Sequence, residues 1–485
     1  MTKDQKPTAS GVVFPATADG RRSTAALGQA VVADALRPVD PAGALAVEQE
    51  AAWRRQYLGH FRRLLEAGLT SPENWRQSAA TGLETVHSRM SVVLPDGGEI
   101  PLAAALTEPA GRALETVEVT GPGEPGEFVL PYRGRHLRGD EIRRQLAAWV
   151  AAGVAEPSVA DAVDTVLAHP EWLRLDGRTV VVLGAGAEMG PLSALLGWGA
   201  TVAAVDLPRP DVWKRILPSA VAGRLLVPAA PETPGRTELA TRAGADLITE
   251  VPAVAEWLTS LPGSLVLGNY AYADGSGHVR VAAAVDALTQ RLQKEHDDLA
   301  LAFLATPTDV FAVPGEAVQF STDGYRRRSR TARLLRTVSR GRLLAPAYPE
   351  SADPGICDSL VPIQGPNYAL AKQIQRWRAV VARSAGTTVS FHVAPATRTR
   401  SVTQQRLLAA VYSGVHHFGL EIFAPATANT LMAALLVHDL NSPPARHEHP
   451  WQDEAHQAVH GGLWRTPYDT RSALGLAAIL GYPSR

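Results

Sequence analysis

Tyr368 and Lys372 stand four positions apart in Gly365-Pro366-Asn367-Tyr368-Ala369-Leu370-Ala371-Lys372, which runs on through QIQRWRAVVARSAG. Residues at that spacing share one helix face. A phenol with a reference pKa of about 10 is a poor acid or base at neutral pH, and an adjacent ammonium stabilises phenolate and draws that pKa toward the working range. The pair therefore points to proton transfer at Tyr368. Lys372 could also hydrogen-bond the ribose of a bound nicotinamide nucleotide. A half-buried tyrosine beside a solvated lysine would give the same pattern, so its place in the chain is what informs.

The elements that must position this pair begin with Arg178 to Asp206, RTVVVLGAGAEMGPLSALLGWGATVAAVD. Thr179 to Leu183 is too short and too β-branched for a helix, and it feeds Gly184-Ala185-Gly186-Ala187-Glu188-Met189-Gly190, the pattern of a buried strand, a tight turn and a helix start. If a pyrophosphate sits there, Gly184 permits the turn, Gly186 lets backbone amides approach the phosphates, and Gly190 lets helix pack on strand. Ala187, Glu188 and Met189 complete that loop. The helix Pro191 to Trp198 would supply a positive N-terminus. A second strand, Thr201 to Val205, ends in Asp206, where an acid can grip a ribose hydroxyl. Asp206 favours NAD(H), because its charge repels a 2′-phosphate; Arg209 keeps NADP(H) open. Similar loops occur in S-adenosylmethionine-dependent methyltransferases and in turns that bind nothing.

Strand patterns recur at 224 to 230, 264 to 272, 299 to 314 and 387 to 399, separated by helix patterns. That alternation predicts an α/β fold, a doubly wound parallel sheet of Rossmann type. Asn269 follows the fourth strand, at the edge where cofactor and substrate meet. Residues 315–360 interrupt the rhythm with the Arg-rich GYRRRSRTARLLRTVSRGR and a Pro/Gly-containing loop, and read as an insertion, a helical lid over the cleft or a surface helix.

Ahead of the nucleotide domain (173–485), residues 1–25 read as a flexible tail and 26–172 as an additional α+β domain of unassigned role. One amphipathic helix is expected from Pro41 to Gly68, a hairpin over Ser91 to Leu102, and a strand pair from 115–119 and 127–134. Arg133, Arg135, His136 and Arg138 read as solvated surface, or as a site for an anionic arm.

With 47 basic and 48 acidic side chains among 485 residues, no global field recruits nucleic acid or an anionic membrane. The single Cys357 forms no internal disulfide and no thiol cluster for a metal, and no stretch approaches a membrane span; a cytoplasmic setting fits. The C-terminal His447, His449, Asp453, His456 and His460 offer a rival metal chemistry, His456 and His460 at helical spacing; the zinc-protease motif is absent and no metal is assigned.

At this point the chain resembles the short-chain dehydrogenase/reductase superfamily, through the loop at 184–190, Asp206, Asn269, the Tyr368/Lys372 helix and the VAPATRT segment, over roughly 178 to 440 and with GGLWR as a last edge strand. The resemblance implies hydride transfer with a nicotinamide and Tyr368 as proton donor or acceptor. It implies cofactor contacts from Pro395 and Thr397, where the family has a Pro-Gly followed by a threonine, and a homo-oligomer. The family's catalytic serine is missing from its usual place at the end of the fifth strand; Thr306 or Thr308, with Thr306 favoured, or Ser359 from the insertion would replace it. Glu188 stands where the family's loop has glycine. The expected activity is NAD(P)-dependent reduction of a carbonyl, or of an enoyl thioester on CoA or a carrier protein. The alternatives are an NAD-binding module without turnover and a methyltransferase.

Overall fold

The computed structural model describes residues 11–16, 20–94, 96–106, 111–233 and 237–482. Its centre is a seven-stranded sheet: β1 (Glu115–Thr120), β2 (Arg178–Leu183), β3 (Thr201–Val205), β4 (Arg224–Ala229), β5 (Ser264–Asn269), β6 (Ala300–Ala305) and β7 (Val389–Val393). The order across the sheet is β7-β6-β5-β2-β3-β4-β1, and all but β1 run parallel. From β2 the chain winds outward to β4, then returns to β5 and winds the other way. The expected doubly wound α/β sheet is present, and its reversal lies between β2 and β5, the place where such sheets open a crevice beyond their carboxyl ends.

Both faces of the sheet are buried, which is why its strands read as apolar runs. Alternate residues feed separate cores: Val181 and Leu183 join one cluster, Val180 and Val182 the other, as the two-residue strand period requires. On the first face lie α5 (Ser276–Glu295) and α6 (Gly365–Ser384), overlaid by α1 (Thr24–Leu36), α2 (Trp53–Leu69) and α3 (Pro72–Arg89). The stretch from 26 to 172 thus shares both hydrophobic cores with the sheet and lends it β1.

A buried charge cluster ties these layers. His87 of α3 meets Asp286 of α5 at 2.6 Å, and Arg378 of α6 grips the same carboxylate at 2.7 and 2.8 Å. Burial by itself would raise the Asp286 carboxyl, but Arg378 and His87 outweigh it and hold it at about 2.

Several expectations need correction. The single helix from Pro41 to Gly68 is two, Pro41–Glu48 and α2, broken at Gln49 to Ala52. Gly11–Val13, within the stretch read as a tail, pairs with Ser91–Val93 of the expected hairpin, whereas residues 1–10 and 17–19 lie outside the described residues. The pair from 115–119 and 127–134 does not form: β1 joins the main sheet and Leu130–Tyr132 pairs with Arg135–Leu137. The fifth strand divides, and Val310–Val313 turns off to pair with Gly355–Asp358, closing the base of the insertion. GGLWR is a turn, and the edge is β7. Among the described residues no helix is long and apolar enough to cross a membrane.

Candidate functional site

Four parallel strands deliver the site at their carboxyl ends: Gly184 after β2, Asp206 after β3, Asn269 closing β5 and Thr306 after β6. Helix α6 brings Tyr368 and Lys372 to the same edge. It begins with Pro366, whose missing amide costs nothing in a first turn, and it ends before Gly386 in the left-handed region at φ 90°, a common helix stop.

Tyr368 is half-buried, with its ring 5.3 Å from His278 and 6.4 Å from Tyr272. Burial pushes its phenol well above the usual 10, opposed by the nearby Thr306 hydroxyl. Thr306 also shares a 2.9 Å hydrogen bond with Thr308, which Gln364 holds at 3.0 Å. The expected stabilisation of phenolate by Lys372 is not what this geometry displays. The amine donates to the Leu304 carbonyl at 3.2 Å and to Gln375 at 3.1 Å, the first of these at the end of β6. Burial brings Lys372 down to about 8, with Asp309 opposing.

Ser359 is fully buried, and its hydroxyl is engaged by Cys357 at 3.1 Å and Thr470 at 3.0 Å. Of the three candidate replacements for the serine, Thr306 is the one placed beside Tyr368.

In the glycine loop Asp206 is turned inward, accepting the Gly186 amide at 2.7 Å and the Leu207 amide at 2.8 Å. Gly184 has φ +81°, and an added Cβ would stand 2.7 Å from the Ala271 Cα, so the exit segment of the neighbouring strand β5 excludes any side chain there. Gly190 differs: a Cβ would meet the Ala187 carbonyl at 3.4 Å and Val182 at 3.8 Å, ordinary contacts, so close packing does not demand glycine at that position. Gly184→Ala is therefore expected to cost about 2 kcal/mol or more through strained backbone and a main-chain clash. Gly190→Ala should be near neutral; urea unfolding of the two variants checks the contrast, and equal stabilities would refute it.

The helix expected to offer its positive end is only the short α4 (Leu192–Gly197), and a helix that short aligns few dipoles. Ala187 donates its amide to the Gly184 carbonyl at 2.9 Å, and Met189 packs on the second core. Glu188 accepts from the Arg400 amide at 2.8 Å and guanidinium at 2.9 Å, so the loop is clasped to the segment after β7. There Thr397 is buried with its hydroxyl on the Pro395 carbonyl at 2.8 Å. Asn269 is buried, and its Oδ1 has no partner among the described residues.

Sequence reasoning missed His278. It stands in the first turn of α5, just after the short polar stretch that follows β5, and nothing in its spacing marks it; the signal available was its position at the start of the helix that follows the strand carrying Asn269. It is 1% exposed, and neither ring nitrogen has a partner among the described residues. Of the C-terminal histidines only His447 and His456 approach each other, with ring centroids 5.2 Å apart; His456 caps the helix Pro450–Ala455, while His460 lies beyond it on Glu156 at 3.0 Å, so His456 and His460 do not share a helix face. Among the described residues no group of three or more candidate ligands could hold a metal.

No protein-family profile and no curated protein matches the chain. Among solved structures it is similar to an A-type ketoreductase from a modular polyketide synthase, with TM-score 0.32, and to an A1-type ketoreductase, with TM-score 0.31. Each is 16% identical and covers 55% of this chain and 47% of the other, so the chain spans about half the length of the structures it matches.

Proposed function

We propose that the protein is an NAD(P)-dependent oxidoreductase of short-chain dehydrogenase/reductase type that reduces a carbonyl compound, with Tyr368 as its acid. The observation that carries this reading is the meeting of Tyr368 with Thr306 at the carboxyl edge of the doubly wound sheet, beside the reversal where such sheets bind nucleotides.

The residues present fit a dinucleotide. Asp206 is only part-buried at the end of β3, and a carboxylate holding two backbone amides keeps lone pairs for ribose hydroxyls. The orphaned Asn269 Oδ1 is a buried acceptor at the same edge, the kind of group a ligand completes. Arg400 balances the charge that Glu188 places in the loop. The nicotinamide, when bound, supplies the hydride. The chain's own groups handle the proton: a phenol held protonated by burial can donate to a developing alkoxide, and Thr306 can hold the same oxygen. Reduction of a thioester-linked ketone or enoyl group on CoA or a carrier belongs to this same reading.

Thermal unfolding with NADH, NADPH and S-adenosylmethionine tests it. Stabilisation by a nicotinamide nucleotide is expected, and stabilisation by S-adenosylmethionine alone would overturn the assignment.

Lys372 adds a pH dependence. Its ammonium persists at neutral pH and is lost as pH rises through about 8, so kcat/KM should fall on an alkaline limb near that value if the positive charge assists the phenol. Lys372→Met should lower the rate and erase that limb. A limb that survives in the variant belongs to another group.

A further inference from the structure

We propose that the cleft beside Tyr368 takes a small carbonyl compound bearing an anionic group, carboxylate or phosphate, with Arg54 pairing the anion and His278 hydrogen-bonding the substrate's uncharged polar end. This rests on the reading of Tyr368 as the acid and says what that acid acts on.

The cleft is walled from three directions. Thr24, Ala25 and Arg54 come from the amino-terminal helices, Tyr272 and His278 from the exit of β5, and Tyr368 from α6. The layer with no assigned role therefore closes the substrate side of the site. Arg54 is the one permanently charged side chain in this wall among the described residues, and none of them hydrogen-bonds or ion-pairs with it. On the same helix Arg62 and Arg63 are both satisfied, by Glu66 and Asp40. The nearby Asp274 is taken by the Tyr272 hydroxyl at 3.0 Å and does not line the cleft. A cleft with a free guanidinium and no carboxylate selects anions, and the guanidinium fork suits carboxylate and phosphate alike.

His278 supplies an independent observation. It lines the cleft, is 1% exposed and leaves both nitrogens unpartnered, although buried polar atoms in folded proteins are almost always hydrogen-bonded. A ligand is the partner this ring lacks. Burial, with the charge of Lys372 adding to it, lowers the ring to about 3. It is therefore a neutral imidazole at physiological pH, one nitrogen donating and the other accepting, and it does not compete with Arg54 for the anion.

The test is calorimetric titration of the full-length protein, with and without NADH, using matched pairs: acetoacetate against methyl acetoacetate, and dihydroxyacetone phosphate against dihydroxyacetone. At least one anion should bind about tenfold or more tighter than its uncharged counterpart, and the pair that shows the gap identifies carboxylate or phosphate. Arg54→Gln should erase the gap and Arg54→Lys should keep part of it. His278→Phe, or His278→Asn if the first misfolds, should weaken both members of the preferred pair by similar factors. Equal binding of charged and uncharged members, no binding of either anion, or a preference that survives Arg54→Gln overturns the proposal. The same titration on Tyr368→Phe separates the two readings. Retained anion preference with unchanged NADH-linked turnover removes the acid and leaves the pocket; lost turnover without any anion preference does the reverse.

Discussion

Tyr368→Phe is expected to lower nicotinamide-dependent carbonyl reduction by about a hundred- to ten-thousand-fold while leaving cofactor affinity within about twofold. The substitution removes one hydroxyl and keeps the ring that packs against His278 and Tyr272, so the fold should be little changed. Because that phenol is held well above its usual pKa by burial, it is protonated at neutral pH and suited to donate in the reductive direction. Loss of the donor should depress kcat and kcat/KM together, the signature of a contact made in the transition state. Thr306→Val should fall in the same direction by a smaller factor, since Thr306 lies beside the phenol but transfers no proton in this scheme. Steady-state rates and a fluorescence titration with NADH measure both quantities. An unchanged rate in Tyr368→Phe would remove the phenol from the chemistry whatever the cofactor does.

Most of the sheet was legible because strands buried on both faces must be continuous apolar runs, and the loop and acid at Gly184 and Asp206 punctuate them. The edge was not. β1 reads as ETVEVT, with alternating polar residues, and such a strand pairs wherever its one apolar side finds cover; here the cover was β4 and not the neighbouring segment. The split of the fifth strand was hidden because Pro307 and Asp309 interrupt an otherwise apolar stretch only briefly. In the site, chain order pointed to the helix of Tyr368 and Lys372, but periodicity cannot say where a lysine's flexible stem turns, and Lys372 turned to the end of β6. His278 and Arg54 were illegible for a plainer reason: they become a pair only when helices distant in sequence are laid over the exit of β5.

A second buried cluster anchors α6 itself, and Arg376→Met is expected to cost about 3–5 kcal/mol of stability at neutral pH. One helical turn beyond Lys372, Arg376 is 4% exposed and holds Glu454 at 3.0 and 2.6 Å, Asp309 at 3.3 Å and the Val310 carbonyl at 3.0 Å, with its guanidinium over the Phe311 ring. A methionine would fill much of the volume, yet two buried carboxylates would then face each other without a cation. Burial already keeps the Asp309 carboxyl above its usual value even with Arg376 present, and without the guanidinium that rise must grow. A carboxyl whose folded pKa exceeds its unfolded one favours the fold while protonated and loses that contribution as pH rises through the folded value. The deficit should therefore shrink toward pH 5 and be largest at pH 7 and above. Adding Glu454→Leu and Asp309→Leu should recover most of the loss, since an apolar replacement of a whole buried ion cluster is often neutral or better. Urea unfolding of the single and triple variants at pH 5 and pH 7 measures this. A single variant equally destabilised at both pH values would mean that Arg376 acts by packing and not by charge. Because Asp309 adjoins Thr308 and opposes the depressed pKa of Lys372, the single variant should also move the alkaline limb of the rate profile. The cluster thus couples the anchoring of α6 to the charge state of the residue one turn from Tyr368.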